Sequence, residues 1–142
     1  MTEFLIETCT ADDRKTIVSG INSFNLSKVS ALGDTWLPVE FTIKNKQGDV
    51  IAGILGGIGY WNGLEISILW VDDNYRGKGL GKQLLKHAEQ FAANKGAVIS
   101  ILDTFDFQAE AFYLKNGYEA IGEIKNFPQG HRRIYFSKRL TA

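Results

Sequence analysis

The run Asp72-Asp73-Asn74-Tyr75-Arg76-Gly77-Lys78-Gly79-Leu80-Gly81-Lys82 constrains the fold more than any other stretch of the chain. It starts where an apolar β-type segment ends and stops where an amphipathic helical one begins. Its glycines open backbone conformations closed to other residues and let several peptide N–H groups point the same way. A helix directly behind such a loop adds the positive end of its dipole. Arg76, Lys78 and Lys82 add positive charge. Strand, loop and helix together make a cradle suited to a pyrophosphate. The helical stripe behind it is Leu80, Leu84, Ala88 and Phe91, with Leu85 and Ala92 alongside, and Lys95-Gly96 ends it. A P-loop would need a hydroxyl after Gly81-Lys82, but Gln83 follows. A dinucleotide fingerprint would follow the first strand of its unit, whereas this run follows the fourth predicted strand.

The remaining segments surround this unit with strands. Residues 4–8 read as a short strand, and Thr10 caps a helix over 11–24 that carries Ile17, Ile21 and Phe24 at helical spacing. Asp12 and Asp13 fall in its first turn. Residues 25–35 take no clear assignment. Strands are expected over 36–44, 50–61 and 64–71, with turns at Asn45 to Asp49 and at Asn62-Gly63. The second of them carries Gly53, Gly56, Gly57 and Gly59, which implies bulges or close approach by a neighbour. After the helix over 80–94 come a strand over 97–103 and a short helix over 108–116 stopped by Gly117. Strands over 118–125 and 132–138 then close a hairpin around Phe127-Pro128-Gln129-Gly130. The order β-α-β-β-β-α-β-α-β-β predicts an α/β (α+β) fold: a mixed, mostly antiparallel sheet with helices on both faces.

Composition removes several function classes. A chain of 142 residues suits one domain, here 1–142. The 16 basic and 16 acidic residues balance, so no bulk field draws nucleic acid or an anionic membrane. One cysteine, Cys9, excludes an internal disulfide, and His87 and His131 stand too far apart for a zinc motif, so no metal is expected. The N-terminus lacks a signal-peptide pattern, and the longest uncharged stretch, 50–64, is too short and glycine-rich to span a membrane. A soluble, cytoplasmic protein is the expectation.

Arg76-Gly77-Lys78-Gly79-Leu80-Gly81 resembles motif A of the GNAT N-acetyltransferase superfamily, Arg/Gln-x-x-Gly-x-Gly/Ala. Ala109-Glu110-Ala111-Phe112-Tyr113-Leu114-Lys115-Asn116-Gly117-Tyr118 resembles its motif B, Ala-x-x-x-Tyr-x-x-x-Gly-Phe/Tyr. The two stand in the family's order and separation. The motif similarity covers residues 64–118. It implies the GNAT acyl-CoA N-acyltransferase fold and acetyl-CoA as co-substrate. It further implies that Arg76, Gly77, Lys78, Gly79, Leu80, Gly81 and Lys82 hold the CoA pyrophosphate. Leu69, Trp70 and Val71 would pair with the pantetheine arm in a splay beside the strand at residues 98–104. One departure stands out: the family often has Asn three residues before the motif B alanine, where this chain has Asp106.

The chemistry to be served is attack of a neutral amine on a thioester, with a base for the amine proton and an acid for the departing thiolate. A backbone N–H at or beside Val71 would polarise the carbonyl. Tyr113 is the candidate acid. On an apolar helix face with Ala109 and Phe112 it also reads as plain packing, and the resemblance is what selects the functional reading. Glu65, on the strand entering motif A among Leu64, Ile66 and Ile68, is the candidate base, acting through water; the alternative is a solvated strand face. His87 reads as a helix flank and His131 as a turn residue. Trp36, Tyr60 and Trp61 read first as packing. The acceptor is open between a small-molecule amine and a protein amine. Exposed sheet edges offer a route to a homodimer. The competing function is a non-catalytic acyl-CoA sensor or interaction module, and succinyl- or propionyl-CoA is a competing donor.

Overall fold

The computed structural model describes residues 4–33 and 36–140. The flanking residues, with the Asp34-Thr35 end of the segment left unassigned above, lie outside that description. The chain divides into two units, Met1–Ala31 and Leu32–Ala142. No described helix is long and apolar enough to cross a membrane.

The first unit is one helix, α1 (Ala11–Lys28). Thr10 starts it with a reciprocal box: its hydroxyl accepts from the Asp13 N–H at 3.1 Å, and the Asp13 carboxylate accepts from the Thr10 N–H at 3.0 Å. The Thr10 backbone N–H, and after it the Thr10 hydroxyl, hold the Asp13 carboxyl below its ordinary value. The helix runs past Phe24 to Lys28, whose ammonium suits the negative end of the dipole. The strand expected at residues 4–8 is not formed. An extended segment persists only where a neighbour completes its ladder, and the short apolar run supplies side chains but no partner.

The second unit is a six-stranded sheet of β1 (Trp36–Lys44), β2 (Val50–Gly59), β3 (Gly63–Val71), β4 (Ile99–Phe105), β5 (Glu119–Lys125) and β6 (Arg132–Arg139). Their spatial order is β1-β2-β3-β4-β6-β5. All neighbours are antiparallel except β3 and β4, which are parallel and joined through α2 (Leu80–Asn94). The mixed, mostly antiparallel sheet is therefore as expected. Turn chemistry sets the meander. Asn45 accepts from the N–H groups of Gln47 and Asp49, and Asn62 adopts φ 59° directly before Gly63. A short α3 (Glu110–Lys115) follows β4.

Of the expected α2 stripe, Leu80 and Phe91 are half-buried against the core, while Leu84, Leu85, Ala88 and Ala92 are buried with Ile54, Leu64, Ile134 and Phe136 of the sheet. Each large side chain so buried contributes about 1.5–3 kcal/mol before entropy is counted.

Two of the β2 glycines have identifiable reasons. A Cβ on Gly56 would run into the Glu65 carbonyl oxygen, and one on Gly57 into the Trp36 indole. Gly56 sits where the β2–β3 register slips: Leu55 pairs Ile68, but Gly56 pairs Ile66, so Ser67 is bulged out. The same bend ends the β3–β4 ladder. Those strands pair only at Gly63, Leu64 and Glu65 opposite Ile99, Ser100 and Ile101, and then diverge.

Candidate active site

The loop after β3 begins with a short 3₁₀ turn, η1 (Asp73–Tyr75), capped by the Asp72 carboxylate on the Asn74 N–H. Gly77 and Gly79 then take φ +78° and +79°, with open space where a Cβ would stand. They are glycines for conformation, since a side chain there costs on the order of 1–2 kcal/mol. Gly79 is the N-cap of α2 and offers no side-chain cap, so the first-turn N–H groups stay available to a ligand. Gly81 differs: its φ is not positive, and a Cβ there would meet Phe112 and Val71 at ordinary contact distances, so neither conformation nor space demands a glycine. Arg76 folds back, donating from Nε to the Val71 carbonyl at 3.1 Å and pairing with Asp73 at 3.0 Å.

A cavity of about 820 Å³ opens over this loop. Of the residues expected to hold the cofactor, Leu69, Trp70, Val71, Arg76, Gly77, Gly79, Leu80, Gly81 and Lys82 line it, and Phe112 and Tyr113 of α3 close the other side. Its size is that of a ligand site. Lys78 is not on its wall; its ammonium lies 5.9 Å from the centre of the Tyr75 ring.

A second cavity, about 140 Å³, lies in the splay itself, between Ile66 to Leu69 of β3 and Leu102 to Thr104 of β4. Leu69, Gln108, Ala109 and Tyr113 line both cavities and so mark their junction. Tyr113 is buried, its ring edge-on to Phe112 at 5.2 Å and to Tyr118 at 5.7 Å. Burial pushes its phenol up to about 12, with the Asp103 carboxylate adding to the shift. At neutral pH the group is a proton donor. Among the described residues its hydroxyl has no hydrogen-bond partner.

Glu65 is not brought to this junction. It is exposed, lines neither cavity, and stands opposite Ile101 on the face of β3 away from buried Leu64 and Ile66. Asp106 lines the large cavity, but its carboxylate accepts from the Arg132 N–H at 3.1 Å and pairs with His131 Nδ1 at 2.9 Å. It anchors the start of β6. His131 also stands edge-on to Phe107, so its place is local. His87 packs edge-on against Phe41 at 4.5 Å, a helix flank as expected. Exposed Cys9 belongs to the other unit. Trp36 covers Gly57 of β2.

Asp103, Thr104 and Gln108 were not foreseen. Asp103 lines the small cavity and accepts from Arg133 Nε at 2.7 Å. The Gln108 carboxamide oxygen accepts from Thr104 Oγ1 at 3.1 Å and from the Phe105 N–H at 2.9 Å. The strand alternation of residues 97–103 was the available signal for Asp103. It marks Asp103 as lying on the face opposite buried Leu102, but not that β3 has withdrawn from beside it.

A profile described as the acetyltransferase (GNAT) family matches residues 23–118 of this chain. The crystal structure of an acetyltransferase from Bacillus cereus is 34% identical and superposes with a TM-score of 0.90, covering 98% of this chain and 99% of that one. Blasticidin-S acetyltransferase of Streptomyces morookaense is 37% identical over 86 residues, which are 60% of this chain and 62% of that protein. That match therefore spans less than two thirds of the relative's length. An acetyltransferase of Agrobacterium fabrum is 26% identical over 95% of this chain and 96% of its own length.

Proposed function

The chain belongs to the acetyltransferase (GNAT) family of acyltransferases, and from that premise we propose that it moves the acetyl group of acetyl-CoA onto a primary amine in a ternary complex. The observation that carries this reading is the junction where the glycine-loop cavity meets the splay, with a protonated tyrosine at it. First-turn N–H groups of α2, helped by Lys82, receive the pyrophosphate. The edge of β3 from Leu69 to Val71 takes the pantetheine arm as an added strand.

The amine nitrogen attacks the thioester carbonyl carbon, and a backbone N–H at or beside Val71 polarises the carbonyl oxygen. The C–S bond breaks, and Tyr113 gives its proton to the departing thiolate. The amine's proton leaves through water towards Glu65. Similarity to blasticidin-S acetyltransferase favours a small-molecule amine over a protein amine as acceptor. That Glu65 lines neither cavity is what favours the second reading, a domain that binds acyl-CoA without turnover.

Calorimetric titration of acetyl-CoA into the wild type and into an Arg76→Glu/Gly79→Asp variant tests the site. One-to-one binding that the variant loses is the expected result. Absence of binding by folded wild type at high ligand concentration would sink both readings, and binding without acetyl transfer to any of a broad panel of amines would leave only the second.

A further inference from the structure

We propose that the Gln108 side-chain NH2 is a hydrogen-bond donor to the thioester carbonyl oxygen of the acyl donor; this rests on the reading that acetyl-CoA occupies the two joined cavities. The orientation of this carboxamide follows from its neighbours. A peptide N–H can only donate, so the atom that receives the Phe105 N–H at 2.9 Å is the amide oxygen. The same oxygen receives the Thr104 hydroxyl at 3.1 Å. Oxygen and stem are thereby pinned to the end of β4, and the NH2 group is the part left over. Among the described residues it has no partner.

Its position is as informative as its orientation. Leu69, Ala109, Gln108 and Tyr113 are the residues shared by both cavity walls. Leu69 and Ala109 bring no polar side-chain atom. The Tyr113 hydroxyl is needed for the thiolate. The Thr104 hydroxyl proton is already directed to Gln108, and the carboxylate of Asp103 can only accept. Asp106 is turned to His131 and Arg132. Of the four residues shared by both walls, Gln108 thus leaves the one further side-chain donor that can meet a carbonyl oxygen and the charge that develops on it, while the Ser67 hydroxyl lies on the small-cavity wall alone.

The test compares acetyl-CoA with CoA, which lacks the carbonyl in question, and needs no acceptor. Gln108→Glu keeps an oxygen for Phe105 and Thr104 and replaces the NH2 by a second oxygen. Gln108→Met removes the group altogether. Loss of one hydrogen bond predicts acetyl-CoA weakened by roughly 3–10-fold in Gln108→Met, and by more in Gln108→Glu, where an anion faces the carbonyl. CoA affinity should move little in either variant. Equal weakening of both ligands would assign Gln108 to the β4 turn alone, and no weakening of acetyl-CoA would remove it from the site. Either outcome overturns the proposal while wild-type binding of acetyl-CoA upholds the cavity. A wild type that binds neither ligand removes the proposal together with the cavity reading.

Discussion

Tyr113 shows how one side chain takes its chemistry from its surroundings. Packed among Phe112, Tyr118 and Phe136, it keeps its proton well above neutral pH. Replacing it by Phe should lower turnover by about 10²–10⁴-fold. Acetyl-CoA affinity should hardly change, so the loss falls in kcat in a thiol-release assay on any amine the wild type accepts. The raised value also has a sign for stability. The folded chain holds this proton more tightly than the unfolded one, so its contribution is complete below the ordinary tyrosine value and is lost as pH rises from about 10 to about 12. Alkaline unfolding followed at increasing pH should be less steep in Tyr113→Phe. The motif spacing made Tyr113 legible from the sequence. Gln108 was not legible as a site residue, because what orients it is a pair of hydrogen bonds to the end of β4, and a carboxamide before a helix announces neither.

Among the elements, β2 and the loop after β3 carry the local constraints. Glycines in β2 predicted a bulge or a close approach, and both occur, at Gly56 and Gly57. Gly56→Ala should destabilise the protein by about 1–3 kcal/mol or more, since the obstructing atoms are backbone and cannot rotate away. Denaturant unfolding measures this, and an unchanged midpoint would refute the account of the bulge. Strand and helix placements from residue 36 onward were legible to within a few residues, because turn residues such as Asn62 and Gly117 punctuate them. The segment at residues 4–8 failed for the opposite reason. Its apolar residues satisfied a pattern, but pairing is a property of two segments, and one segment cannot reveal it.

For the sheet-bearing unit as a whole, one buried network links elements far apart in sequence. Glu89 of α2 accepts from Lys138 of β6 and from the Tyr118 hydroxyl, each at 2.8 Å, and Ser100 of β4 donates to the Tyr118 oxygen at 2.7 Å. Lys138 also donates to the Asn116 carbonyl after α3. Lys138→Met would leave Glu89 buried beside a single hydroxyl, and should cost about 3–5 kcal/mol in thermal or denaturant unfolding. A Glu89→Gln/Lys138→Met double variant should recover part of that loss. None of this network was legible in the sequence, since it depends on β6 rather than β5 lying beside β4. The short seam between β3 and β4 has a further consequence. Three ladder pairs, the Val98 N–H on the Asn62 carbonyl, the α2 crossover and the shared core hold the β1–β3 half of the sheet to the β4–β6 half. The sheet is thus least stitched at its middle, where a bound molecule would touch both halves. An occupant there should act as a rivet, stiffening the protein across the joint with the fewest strand pairs.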